Sequence, residues 1–270
     1  MSKIKNVFDF PAFIAEFIGT FFIVFLSAYT NIQVEGRHEN NGMTVLMLYT
    51  FFTYAMHPTS GAHFNPAITM THILDKSFPM AKGMIYIGIH LVSSMMAGLM
   101  VLALQPIKTT DENLGWLGQP TVQDFPGTQT PIIGLLALCI AEFTCSLVLI
   151  FVWNVAMNDS RIPSGTNGFI IGALYGVVAM ALGRVSGGSM NPARVFGPGL
   201  LAGDWIHIGF YLVMPLLGAM AGDLWYKGSL RDSSKTAFDA NNYNLEVINP
   251  HDISVSQMSE DGNEMSRLNE

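Results

Sequence analysis

Two short stretches decide the fold of this chain of 270 residues: SGAHFNPAITM at residues 60–70 and SGGSMNPARVF at residues 186–196. Each contains an Asn-Pro-Ala triplet followed by an apolar run that is too short to cross a bilayer. Asn fits the N-cap of a helix, and Pro fits the first turn because its missing N–H would be unpaired there. The two triplets, Asn65-Pro66-Ala67 and Asn191-Pro192-Ala193, are therefore each predicted to begin a half-helix.

The two stretches are parts of an internal repeat with a constant offset of 126 residues, the separation between Ser60 and Ser186. AEFIGTFFIVF, which starts at Ala15, is echoed at the same offset by AEFTCSLVLIF, which starts at Ala141. The offset also relates Tyr49 to Tyr175. The chain therefore consists of two structurally equivalent halves.

Apolar composition places these halves in a membrane. Hydrophobic residues make up 50% of the chain and charged residues only 12%, about half the roughly 25% of a soluble domain. Six apolar stretches approach the length of about 20 residues that a membrane span needs; they cover residues 11–30, 42–56, 82–104, 131–157, 168–184 and 206–226, and the second and fifth are shorter and more polar. The sequence predicts an all-α membrane protein with six transmembrane helices and two re-entrant half-helices.

Each half contains three spans, so the second half must enter the membrane from the opposite face, which makes the repeat inverted. Inverted half-helices would meet at the membrane centre with their N-termini facing, and each N-terminus carries about half a positive charge. Asn65 and Asn191 would offer side-chain N–H donors there. Such a pore accepts neutral hydrogen-bonding molecules and repels cations, including protons.

Three regions are expected along the chain. A cytoplasmic N-terminal segment covers residues 1–10, the channel domain covers residues 11–226 with halves of about 11–104 and 131–226, and residues 227–270 form an acidic, disordered cytoplasmic tail. The sequence contains no basic cluster for nucleic acid, no metal-ligand spacing, and no nucleophile with a paired base. We therefore expect no enzymatic activity, no cofactor and no bound metal.

The Asn-Pro-Ala stretches and the paired AEF starts resemble the aquaporin family, also called the major intrinsic proteins, over about residues 11–226. The resemblance implies a passive channel for water and small neutral solutes that assembles in the lipid bilayer as a homotetramer with one pore per subunit. It implies that Glu16 and Glu142 hold the re-entrant loops through backbone N–H groups. It also implies that His63 lines the cytoplasmic side of the pore.

The same resemblance identifies a selectivity filter formed by Arg194, Ala179, Gly188 and Val45. A one-residue insertion near residues 57–59 would move the last position to Thr44. Arg194 is a charge inside an apolar stretch, which by itself marks a functional residue because such charges are costly in a membrane.

The filter composition bears on which solutes pass. Water-selective members of the family carry an aromatic residue and a histidine at the positions of Val45 and Ala179, so the small residues here predict a wider filter that admits glycerol- or urea-sized solutes. Glycerol facilitators usually carry Asp directly after the filter arginine, whereas this chain has Val195. Three alternatives stay open: a strictly water-selective channel, an ion channel or coupled transporter, and a junctional protein with a vestigial pore.

Lysine and arginine bias predicts the orientation, because cytoplasmic loops are enriched in these residues. Lys76, Lys82, Arg161 and Lys227 fall on the same side as both termini, while Arg37 and Lys108 fall on the other side. We expect the protein to lie in the plasma membrane with both termini on the cytoplasmic side.

Protease added to intact cells should leave residues 227–270 uncut, because this tail is expected to lie inside the cell. Cleavage of the tail from outside would show the opposite orientation.

Overall fold

Eight α-helices form the regular structure of the residues that the computed structural model describes, which are 8–33, 38–104, 117–120, 131–159, 162–163 and 165–230. No β-strand occurs among these residues. In chain order the helices are α1 Phe10–Gln33, α2 His38–Ser60, α3 Pro66–Leu74, α4 Met80–Leu104, α5 Pro131–Asn158, α6 Asn167–Leu182, α7 Pro192–Ala202 and α8 Trp205–Ser229. The predicted all-α membrane fold with two half-helices, α3 and α7, is confirmed.

Four of the helices, α1, α4, α5 and α8, are long and apolar enough to cross a membrane by length and composition. The second and fifth predicted spans correspond to α2 and α6. Helix α2 extends beyond the predicted residues 42–56 at both ends, and α6, with 16 residues, matches the predicted short span. Helix α2 is the more polar of the two, which fits its position, since the most extensive contact among the described helices is the one between α2 and α6.

Small residues bring α2 and α6 together. A methyl group added at Gly172 would lie 2.0 Å from the hydroxyl oxygen of Thr50, and one added at Gly176 would lie 2.8 Å from the carbonyl oxygen of Gly42. Side chains larger than a hydrogen atom at these glycines would force the two helices apart. Close backbone approach at small residues is typical of helix pairs in membranes.

Polar and apolar side chains are distributed as a bilayer requires. Large apolar side chains such as Phe51, Ile132 and Ile206 are exposed on the outer faces of the helices, whereas Glu16 and Glu142 are buried. An exposed apolar surface of this extent would be a liability in water. In a membrane such a surface contacts lipid.

The predicted regional boundaries fall partly outside the described residues. Helix α8 continues to Ser229, so the first residues assigned to the tail are helical, and residues 231–270 lie outside the described part of the chain. The N-terminal residues 1–7 and most of the segment between the halves, residues 105–116 and 121–130, also lie outside it. The three-region division stays a prediction.

The contact between α5 and α8 gives a test of this packing. A Cβ atom at Gly218 would lie 2.1 Å from the carbonyl oxygen of Phe143, so Gly218→Ala should separate the helices and destabilise the protein by about 1 to 3 kcal/mol. The matched control is Gly209→Ala on the same helix, where nothing lies within 4 Å of the added atom. Melting in detergent should show a lower transition temperature for Gly218→Ala only; equal transitions for both variants would contradict the packing.

Candidate functional site

Both half-helices begin in the same way. Asn65 has φ −149° and ψ 118°, and its side-chain oxygen accepts the N–H of Ala67 at 2.8 Å. Asn191 has φ −143° and ψ 110°, and its side-chain oxygen accepts the N–H of Ala193 at 2.9 Å. A proline follows each asparagine in the first helical turn. These are N-capped helices whose free donors and positive dipole ends point back toward the asparagines.

The N-termini of the two half-helices are joined by reciprocal hydrogen bonds. The Asn65 amide donates to the carbonyl oxygen of Met190 at 2.8 Å, and the Asn191 amide donates to the carbonyl oxygen of Phe64 at 2.8 Å. Phe64 and Met190 both have positive φ, 49° and 50°, which is uncommon for large side chains. The structure therefore brings the two triplets, 126 residues apart in sequence, into one site.

A buried carboxylate supports the loop that precedes the first half-helix. Glu16 accepts the backbone N–H of His63 at 2.9 Å and that of Phe64 at 2.7 Å, and it also accepts the hydroxyl of Ser60 at 2.6 Å. The Nε2 atom of His90 lies 2.7 Å from Glu16 Oε2, the oxygen that also accepts the Phe64 N–H. No local pattern of residues points to His90 as a partner of Glu16, because only the tertiary fold brings α1 and α4 together here.

Glu142 repeats this arrangement in the second half. It accepts the backbone N–H of Ser189 at 2.9 Å, the backbone N–H of Met190 at 2.7 Å, and the hydroxyl of Ser186 at 2.7 Å. The position equivalent to His90 is Leu216, which has no polar side chain. The two loops are thus held by the same carboxylate pattern, and among the described residues an imidazole ring contacts the carboxylate in the first half only.

Arg194 lies in the first turn of α7, and its side chain is only 1% exposed. One guanidinium nitrogen, Nη1, donates to the carbonyl oxygens of Gly188 at 2.9 Å and Ser189 at 3.2 Å. Its Nε and Nη2 groups have no hydrogen-bond partner within the part of the chain that the structure describes. A Cβ atom at Gly188 would lie 2.9 Å from the Ala179 Cα atom. Three of the predicted filter residues are therefore neighbours.

The fourth predicted position lies on α2. Val45 is fully buried and stands one helical turn from Tyr49, so both side chains lie on the same face of α2. The Thr44 hydroxyl instead lies 3.5 Å from the Thr30 hydroxyl of α1. This geometry favours Val45 over Thr44 as the residue on the face that carries Tyr49.

His63 lies in an aromatic cluster at the end of the first loop. Its ring centroid lies 5.3 Å from that of His72, 4.9 Å from that of Phe78 and 6.3 Å from that of Trp153. Its Nδ1 atom lies 3.0 Å from the hydroxyl oxygen of Thr69. The sequence pointed to His63 alone, because the other rings reach it from α3, from the connection between α3 and α4, and from α5.

A polar clamp ties the end of α3 to α8. Lys227 lies 3.3 Å from Asp75 and 2.5 Å from Asp223, which also accepts the Asn154 side-chain amide at 3.1 Å. Burial raises the pKa of the Asp75 carboxyl, but hydrogen bonds from Ser77 and the charge of Lys227 outweigh it, so the pKa lies below its usual value. The clamp fixes the C-terminal end of α3, and the N-terminal end of α3 is joined to that of α7.

Two tyrosines complete the centre of the site. The hydroxyl of Tyr175 accepts the Asn65 amide at 2.8 Å, and the hydroxyl of Tyr49 accepts the Asn191 amide at 2.8 Å. The sequence repeat paired these tyrosines but assigned them no role. It also led us to expect asparagine N–H donors that face a permeant, whereas in this structure the protein itself accepts both hydrogens of each amide.

Fold and site together define an integral membrane channel built from two inverted repeats whose half-helices meet at their N-termini. Residues 3–226 match the family described as Major intrinsic protein. The chain belongs to the major intrinsic protein family. It is therefore a passive channel rather than an enzyme.

Individual relatives agree with this assignment. The chain is 34% identical over 218 residues to NIP4-1 of Arabidopsis thaliana, covering 79% of this chain and 72% of that protein. It is 30% identical over 248 residues to Aquaporin NIP3-1 of Arabidopsis thaliana, covering 90% and 72%. The X-ray structure of the aquaglyceroporin from Plasmodium falciparum is similar in fold, with a TM-score of 0.69, 19% identity, and coverage of 84% of this chain and 98% of that one.

The carboxylate supports lead to a stability prediction. Glu142→Gln replaces one acceptor oxygen by an NH2 group that faces backbone donors, so we expect the free energy of unfolding to fall by about 2 to 4 kcal/mol. The matched control is Ser146→Ala, one turn further along α5, because the Ser146 hydroxyl is buried and has no hydrogen-bond partner within the described residues. Thermal melting in detergent should separate the two variants, and a Glu142→Gln transition as high as that of Ser146→Ala would contradict the supporting role.

Proposed function

We propose that the chain conducts water and small neutral solutes of the size of glycerol or urea through a pore that passes the junction of α3 and α7. The observation that carries the proposal is the reciprocal pair of hydrogen bonds between Asn65 and Met190 and between Asn191 and Phe64. These bonds hold two positive dipole ends against each other in the middle of the bundle. Half-helix ends of this kind exclude cations and protons from a pore.

Arg194 supplies the outer filter in this proposal. A buried guanidinium is costly in a membrane, so one that is present there marks a paired charge or a functional residue. Its Nη1 donors contact the loop carbonyls of Gly188 and Ser189, so the group is held in one orientation. Its Nε and Nη2 donors are then available to the oxygen of a permeating molecule, and its charge adds to the barrier against cations.

The small filter residues support passage of solutes larger than water. In this proposal Val45, Ala179 and Gly188 contribute two short side chains and a hydrogen atom to the filter that contains Arg194. The plant relative named Aquaporin NIP3-1 supports conduction of water. A strictly water-selective channel is the second candidate, and Val195, in place of the aspartate of glycerol facilitators, favours it.

The proposal also covers the oligomeric state, the orientation and the location of the channel. The homotetramer rests on family membership, and the apolar outer faces of the helices are compatible with contacts between subunits. Cytoplasmic termini rest on the distribution of Lys and Arg in the connections. The plasma membrane is proposed as the location of the channel.

Swelling of proteoliposomes in water, glycerol and urea gradients tests the proposal, with Ala179→His as the informative variant. The histidine should fill the outer filter, so we expect glycerol and urea flux to fall to the background while water flux persists. Ala181→His, on an exposed position of the same helix, is the matched control and should conduct like the wild type.

Two results would contradict the wide filter: exclusion of glycerol and urea by the wild type, or undiminished glycerol flux in Ala179→His. An oversized residue in a packed site typically costs about 1 to 3 kcal/mol, so each variant is first checked for folded protein by size-exclusion chromatography. Water flux in the same vesicles reports the number of intact pores.

A further inference from the structure

The stacked rings of Tyr49 and Tyr175 occupy the place where the two halves of the channel meet. Their ring planes are parallel within 4°, and their centroids lie 3.5 Å apart. Carbon atoms at this separation are in van der Waals contact, so no molecule passes between the rings. The two side chains are 1% and 0% exposed.

The tyrosine hydroxyls also accept the asparagine hydrogens that a permeant would use. An asparagine amide has two N–H hydrogens. Asn65 donates them to the Tyr175 hydroxyl and the Met190 carbonyl, and Asn191 donates them to the Tyr49 hydroxyl and the Phe64 carbonyl, all at 2.8 Å. Neither amide retains a hydrogen for a passing oxygen.

The pair lies on the path that leads from the proposed filter. Val45 and Tyr49 stand one turn apart on the same face of α2, and Tyr175 and Ala179 do so on α6. A molecule that passes the small side chains of Val45 and Ala179 therefore meets the two rings next. Asn191, the partner of Tyr49, lies three residues before Arg194.

We propose that Tyr49 and Tyr175 close the pore at the level of the two asparagines, and that water or solute passes only when these rings separate. This inference rests on the proposed function. Separation transfers one N–H of each asparagine from a tyrosine hydroxyl to the oxygen of the permeant. Both oxygens accept the same kind of hydrogen bond, so the closed state leaves no asparagine N–H unpaired and the open state need not either.

A purely structural role for the pair makes a different prediction. If the tyrosines only staple α2 and α6 to the two loops, their removal lowers stability and leaves permeability per folded channel unchanged. If they close the pore, replacing them by a smaller apolar side chain raises permeability. Valine is suitable because it keeps the site apolar and removes the ring and the hydroxyl together.

The experiment compares water flux per channel in proteoliposomes containing wild type, Tyr49→Val, Tyr175→Val and the double variant. A minor conformation is typically populated at roughly 0.1 to 10%, so the double variant should raise flux by about tenfold or more. Tyr54→Val is the matched control, because Tyr54 lies on α2 with 43% of its surface exposed, and it should conduct like wild type. Each protein is checked for folding by size-exclusion chromatography.

The single variants keep the test decisive if the double variant does not fold, since each retains one asparagine–tyrosine hydrogen bond and should show an intermediate rise. Equal, measurable flux in wild type and in the folded valine variants would overturn the inference and leave the proposed function intact. Absence of flux in every folded protein would overturn the proposed function and the inference with it. A rise confined to the Tyr49 and Tyr175 variants supports both.

Discussion

The carboxylates of Glu16 and Glu142 accept backbone N–H groups of the two re-entrant loops, at a depth where unpaired backbone is costly. The loops lack a helical hydrogen-bond ladder, and Phe64 and Met190 adopt positive φ within them. The carboxylates hold this backbone in place, which sets the positions of the two capping asparagines. The caps in turn determine where α3 and α7 begin, and α7 carries Arg194.

The two halves share their hydrogen-bond pattern but differ in chemistry at matched positions. His63 corresponds to Ser189, and Ile68 corresponds to Arg194. One end of the site therefore contains a histidine among aromatic rings, and the other contains a buried guanidinium. A symmetric backbone thus carries different groups at the two ends of the site, which in the proposed function present different chemistry to the same permeant.

The centre of the molecule satisfies two requirements that compete in a channel. Buried amide hydrogens need acceptors, yet a permeant must also be able to bind them. Tyr49 and Tyr175 meet the first requirement with oxygens like those of water or an alcohol. The helix dipoles at this junction are the same wherever the tyrosine rings lie, so the cation exclusion that we propose does not depend on the tyrosines.

The sequence by itself determined the class of fold. The constant offset, the apolar stretches and the Asn-Pro caps predicted two equivalent halves, each with a half-helix that begins at Asn65 or Asn191, and the structure shows these helices. Such features are readable because helix capping and membrane burial depend on local residue type and run length. The predicted span that departs most from the structure, residues 42–56, corresponds to α2, whose packing against α6 relaxes the need for apolar side chains.

Tertiary structure alone decided which distant residues meet. The contacts of His90 with Glu16, of Lys227 with Asp75, and of Tyr49 with Tyr175 join helices far apart in the chain. The repeat related the tyrosines by position, but equivalence in sequence does not reveal that the two rings stack where the halves of the channel meet. Hydrogen-bond partners and ring contacts depend on how helices pack, and no local pattern of residues encodes that geometry.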